Sequence, residues 1–193
     1  MKTDEVSAVI LAGGRSARMG SDKSELMLCG KTLLELMSDK LKEIGIKDIM
    51  LSGAKKELPG TRIVPDIYEG KGPAAGIHAC LLEAEKPACL VVSVDVPLVS
   101  NETLRELIEA HEGSVTALFH NGEIEPLIAV YDCGLAKDLE EIILSDKAAV
   151  KKVLDRVDVK KVEYAGEDIL LTNCNTPWDF DRIREYSGKG LRT

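Results

Sequence analysis

The chain has 193 residues, 45% apolar and 30% charged, with a formal net charge of −8. That length suits one sizeable core. The acidic balance excludes general nucleic-acid binding, which rests on basic surface, and no apolar run is long enough to span a bilayer.

Residues 9–11 read as a short buried strand that runs at once into Gly13 and Gly14. Arg15, Arg18 and Lys23 follow, separated by small residues. Thr32-Leu-Leu-Glu35 is a capping box. Leu33, Met37, Leu41 and Ile44 then recur at helical spacing, and Gly45 marks the end. Strands are predicted at 48–52 and 62–65, the second ending at Asp66. Pro73 suits the first turn of a helix that continues through Leu82. Residues 89–94 are a continuous apolar run, as expected of a strand buried on both faces in the middle of a parallel sheet. That run ends in Asp95-Val-Pro97. A helix capped by Ser100 or Asn101 comes next.

Beyond residue 113 the pattern predicts strands at 115–119 and 125–131 around an Asn121-Gly122 turn. Helical patterns follow at 134–144 and 148–156, then short strands at 159–164 and 169–171. A last helix is capped by Thr176 with Pro177 at its first position, and a frayed tail starts at Ser187. The order describes an α/β protein with a mostly parallel central sheet. It reads as one domain over 1–193, in a first half at 1–111, a second half at 112–187 and a tail at 188–193. Nothing at the start reads as a signal peptide. Five cysteines (29, 80, 89, 133 and 174) lack metal or redox-motif spacing and read as free thiols in a reducing cytosol. His78, His111 and His120 form no ligand set, and Trp178 with few other aromatics offers no stacking platform for nucleic acid.

The chemistry concentrates at two strand ends. A glycine pair brings backbone N–H groups close to an anion, and arginine and lysine add charge-assisted hydrogen bonds to phosphate. Ligands of α/β sheets bind outside the carboxyl ends of the strands. The glycine loop and Asp95 both fall there, which makes a shared phosphate site. The loop is neither Gly-x-x-x-x-Gly-Lys-Ser/Thr nor Gly-x-Gly-x-x-Gly. The small residues around Gly76 imply a close approach to the helix backbone, by a ligand or by tight packing on the sheet.

Leu11-Ala12-Gly13-Gly14, then Arg18-Met19-Gly20 and Lys23, resembles the signature loop of nucleotidyltransferases with a Rossmann-like three-layer fold. Within that group the chain most resembles the molybdenum cofactor guanylyltransferases. Gly72-Pro73-Ala-Ala-Gly76, Asp95-Val-Pro97 and Asn173-Cys-Asn175-Thr-Pro177 match that family's motifs in order, with Ala74 where leucine is usual. The resemblance implies transfer of GMP from GTP to the terminal phosphate of molybdopterin, carrying molybdenum or tungsten, with Mg²⁺ and release of pyrophosphate. It implies Arg18, Lys23 and Asp95 as catalytic residues and Asp95 as the metal ligand. Leu11, Ala12, Gly13, Gly14, Lys23, Ser52, Asp66, Gly72, Pro73 and Asp95 would hold the nucleotide, and Asn173 and Asn175 the acceptor. Ser52 stands where the family often has asparagine. Arg15 is either a phosphate contact or a solvent-facing residue, and Asp179 either a second metal contact or a capping acid.

A cytoplasmic enzyme follows, with transient contact to cofactor-synthesis or molybdoenzyme-maturation proteins, and no nucleic-acid or membrane partner. The alternatives are a cytidylyltransferase, a transferase acting on another small phosphorylated acceptor, or an inactive nucleotide- or partner-binding module.

Overall fold

Six consecutive buried residues, Val6–Leu11, form strand β1 of a computed structural model that describes residues 1–13, 23–145 and 149–190. Val6, Ala8 and Ile10 point to one apolar cluster, Val9 and Leu11 to another. That alternation on a strand with no solvent face requires helices on both sides. Strand β6, Ala88–Ser93, behaves in the same way: Leu90 and Val92 face the first cluster, Cys89 and Val91 the second.

Nine strands are formed among the described residues. After β1 come a small hairpin of β2 (Met27–Leu28) and β3 (Lys31–Thr32), then β4 (Ile49–Ser52), β5 (Arg62–Ile63) and β6. Strands β7 (Val115–His120), β8 (Glu123–Asp132) and β9 (Val159–Glu163) complete the set. The main sheet has the order β5-β4-β1-β6-β8-β7-β9. Within it β8 alone runs opposite to the others. The expected central place of β6 holds, but its neighbours are one parallel strand and one antiparallel strand. The cause is local. Asn121 (φ 51°) and Gly122 (φ 81°) make a two-residue turn with both residues in the left-handed region, which sends the chain straight back.

Helices α1 (Leu33–Glu43) and α3 (Asn101–Glu109) cover one face. Helices α2 (Pro73–Glu83), α4 (Ala136–Leu144) and α5 (Lys151–Leu154) cover the other. Helix α6, Pro177–Gly190, lies on a smaller cluster of Leu28, Leu33, Cys174 and Ile183. The result is a three-layer α/β architecture. The Thr32/Glu35 capping box forms as expected, with Glu35 N–H donating to Thr32 Oγ1 at 3.1 Å and Thr32 N–H to the Glu35 carboxylate at 2.7 Å.

Three sequence expectations change and one element is new. Residues 169–171 are not a strand but part of a 3₁₀ turn, Asp168–Leu171, in which Leu171 alone is buried. One inward side chain gives no strand face to pair. The helix expected at 148–156 is the single turn α5. The β2–β3 hairpin was not expected; Cys29 (φ 52°) and Gly30 (φ 81°) turn it. Helix α6 continues past Ser187 to Gly190, where a frayed tail was expected.

Candidate active site

The carboxyl end of β1 is held from both sides. Ala12 N–H donates to Ser52 O at 2.9 Å, and Val94 N–H donates to Leu11 O at 3.1 Å. Gly13 then passes against Gly53. A Cβ built on Gly13 would lie 3.1 Å from Gly53 Cα, and one on Gly53 (φ 74°) would collide with the Gly13 backbone. Two glycines just past the ends of neighbouring strands let the backbones touch. Gly14, Arg15 and Arg18 lie outside the described residues.

Across β6 stands the second part. Lys23 Nζ lies 3.0 Å from Asp95 Oδ2 and donates to Asn175 Oδ1 at 2.7 Å. Their side chains are 15% and 28% exposed, so the ion pair is partly shielded from water but still reachable. Asp95 is positioned from its own backbone: its N–H donates to Ser93 Oγ at 3.2 Å, and its carbonyl accepts from Cys174 N–H at 2.7 Å. That last bond brings the Asn-Cys-Asn-Thr-Pro segment to the end of β6. Asn175 therefore reaches the same cation as Asp95. Asn173 is exposed and gives its carbonyl to Asn175 N–H at 3.0 Å.

Asp179 forms a capping box with Thr176. Its carboxylate accepts from Thr176 N–H and Thr176 Oγ1, both at 2.8 Å, while Asp179 N–H donates to Thr176 Oγ1 at 3.2 Å.

Ser52 and Asp66 form the third part. Ser52 is 5% exposed, and its hydroxyl donates to Asp66 Oδ1 at 3.2 Å. Burial pushes the Asp66 carboxyl above the usual carboxylate value, with the Ser52 hydrogen bond opposing and Glu69 adding. Gly76 of α2 packs on Ser52 Oγ and on Leu11 Cδ2, where a Cβ would overlap the hydroxyl. The small residues at the head of α2 thus serve close helix–sheet packing. Gly72, with φ 69° and ψ −158°, adopts a backbone that needs glycine and begins α2, with Pro73 at the first helical position. No side chain caps this end; Pro73 has no N–H to cap, and Ala75 N–H donates to Gly72 O at 3.0 Å.

The structure therefore joins Leu11, Ala12, Gly13, Ser52 and Asp66 by direct contacts, and Lys23, Asp95 and Asn175 by others. The Leu11–Val94 hydrogen bond links the two groups. Sequence reasoning missed the roles of Gly53 and Ser93. Gly53 carried a signal only as a strand-end glycine, and Ser93 carried none.

Among the described residues no three His, Cys, Asp or Glu side chains converge on a metal position. Asp95 is a single carboxylate. That fits a hard cation shared with phosphate oxygens and water, not one caged by protein alone.

Parallel strands that open onto a touching glycine pair on one side and a lysine-bound aspartate on the other place the chain among the nucleotidyltransferases. Comparison with known proteins agrees. The family model for the MobA-like NTP transferase domain matches residues 8–162, and the chain belongs to this family. It is similar to a probable molybdenum cofactor guanylyltransferase of Pelotomaculum thermopropionicum, at 35% identity over 93% of this chain and 92% of the relative. A probable molybdenum cofactor guanylyltransferase of Peptoclostridium acidaminophilum is 32% identical over 94% of this chain and 88% of its own length. Among solved structures, molybdopterin-guanine dinucleotide biosynthesis protein A from Archaeoglobus fulgidus superposes with a TM-score of 0.81. It is 28% identical and covers 95% of this chain and 100% of its own.

Proposed function

We propose that the protein is a molybdenum cofactor guanylyltransferase. An oxygen of the terminal phosphate of molybdopterin attacks the α-phosphorus of GTP. The bond from that phosphorus to the bridging oxygen breaks, and pyrophosphate leaves. No covalent enzyme intermediate is needed, so the protein's work is to align two anions and neutralise developing charge.

The observation that carries this reading is the meeting of Lys23, Asp95 and Asn175. Lys23 belongs to the glycine-loop segment, Asp95 to the end of β6, and Asn175 to the late asparagine motif. One cation thus stands between the nucleotide side and the acceptor side. In this reading Leu11, Ala12, Gly13, Asp66, Gly72 and Pro73 face the nucleotide and Asn173 and Asn175 the acceptor; Gly14 and Arg18, outside the described residues, are assigned to the nucleotide from sequence alone. Ser52 acts on the nucleotide through Asp66, because its hydroxyl is already spent there. Residues 1–111 would be the nucleotide half and 112–187 the acceptor half. Asp95 would hold Mg²⁺, which would supply positive charge against the negative charge developing on the phosphates. A cytoplasmic setting fits five cysteines that are all free thiols.

A CTP-using transferase is the second reading, favoured by serine at position 52 where guanylyl enzymes often have asparagine. Calorimetric titration of GTP, CTP, ATP and UTP with Mg²⁺ separates the two. A GTP preference, followed by pyrophosphate release on adding molybdopterin, is expected. A CTP preference transfers the protein to the second reading, and binding of no nucleotide removes both.

A further inference from the structure

We propose that Cys89 and Cys133 are a reversible oxidation site, a dithiol that closes to an intrachain disulfide when the protein meets a peroxide. This inference stands apart from the transferase reading. The two sulfurs lie 3.9 Å apart. Cys89 sits within β6 and is fully buried, whereas Cys133 is the first residue after β8 and is half-buried.

The sheet sets this proximity. Cys89 pairs with Tyr131 across the antiparallel β6–β8 ladder, so Cys133 stands diagonally from it on the same face. Cys133 N–H donates to Pro87 O at 2.9 Å, and its thiol donates to Lys86 O at 3.2 Å. The pair is therefore held from the backbone and not by chance rotamers.

The two thiols are unequal. The Cys89 hydrogen bond draws the Cys133 thiol below its usual pKa, against burial and the Asp132 and Asp48 carboxylates. The same hydrogen bond and burial push Cys89 up. Cys133 is the sulfur that a peroxide reaches first, and the fully buried Cys89 is placed to resolve it.

The chemistry balances with hydrogen peroxide as oxidant. The Cys133 thiolate attacks one peroxide oxygen, the O–O bond breaks, and the departing hydroxide takes a proton and leaves as water. Cys133 is then a sulfenic acid. The Cys89 sulfur attacks the Cys133 sulfur, the S–O bond breaks, the Cys89 proton leaves with that oxygen, and a second water forms. Two thiols have been oxidised and one peroxide reduced.

Both cysteines lie at the start of β6 and the end of β8, the edge opposite Asp95. Closure therefore ties the sheet together without touching the nucleotide edge, and turnover is expected to survive it.

The test begins from Cys29→Ser, because Cys29 is the exposed thiol and would react with any reagent. The folded Cys29→Ser parent is treated with hydrogen peroxide, alkylated, digested and mapped by mass spectrometry. The expected result is the loss of two titratable thiols per chain and a linked Cys89–Cys133 peptide that dithiothreitol separates. In the Cys89→Ala background, dimedone should label Cys133. Sulfinic acid at Cys133 of the parent without a linked peptide overturns the proposal. So does survival of both thiols under conditions that oxidise Cys29 in the unmodified chain. Should Cys89→Ala fail to fold, the parent peptide map decides alone.

Discussion

The hydroxyl of Ser52 fills the space that a β-carbon on Gly76 would need. Helix α2 can lie this close to β4 only because one partner has no side chain. The same hydroxyl reaches onward to Asp66, so the contact ties helix packing to a candidate site residue. Gly76→Ala should gain about 1 kcal/mol of helix propensity and lose about 1–3 kcal/mol to overpacking. The net expectation is a destabilised protein in urea titration. Adding Ser52→Gly should recover most of the loss, giving a coupling of about 0.5–3 kcal/mol. A Gly76→Ala protein as stable as its parent would show that the packing is looser than this.

Asp95→Asn removes charge but keeps shape. Its fold should survive, as read by an unchanged far-ultraviolet spectrum. Turnover, read as pyrophosphate release, should fall about 100-fold or more. Lys23→Met should lose a similar factor and also raise KM for the nucleotide. Near-parental turnover in Asp95→Asn would remove it from the catalytic centre.

Acid should loosen the protein before its carboxylates titrate. His78 is buried, its ring centroid 5.5 Å from that of Tyr68, and its Nδ1 has no hydrogen-bond partner among the described residues. Burial holds its pKa below the usual 6.5, with Glu140 pulling the other way. Burial also lowers His111, with Lys160 and the N-terminal amine adding and Asp132 opposing. The unfolded chain then binds more protons than the folded one. Their contribution is present above pH 6.5 and is lost as pH falls through the folded values. Thermal melts from about pH 7.5 down to about pH 5 should show Tm falling. His78→Gln should flatten that fall; an identical slope would assign it to other groups.

Asp179→Ala tests the alternative roles of that acid. Loss of the capping box should lower stability by about 0.5–2 kcal/mol. The dependence of turnover on Mg²⁺ concentration should stay as in the parent. A shifted Mg²⁺ dependence would restore Asp179 as a metal contact.

The parts legible in sequence share a physical character. Val91 and Val92 lie in an unbroken apolar run, and a run buried on both faces reads without knowledge of partners. Thr32 and Thr176 announce their helices because capping is local, within three residues. What stayed hidden depends on distant chain segments. Nothing local ties Ser52 to Asp66, or Cys174 N–H to the Asp95 carbonyl. Asp66 was found by its place in a family motif, since its chemistry alone is that of any acidic residue. Residues 169–171 misled because three apolar side chains look the same in a strand and in a 3₁₀ turn, and only burial distinguishes them.

The Lys23–Asp95 ion pair has a consequence for the protein before it meets any substrate. Each partner is the other's counter-ion, so the mouth of β6 reaches its folded arrangement with its own charge already answered. Newly made chains need no triphosphate at hand to settle there. In the proposed reading, entry of a nucleotide would be an exchange of partners, in which phosphate takes the ammonium and frees the carboxylate. The resting protein is a stored offer, made once at folding and redeemed at every turnover.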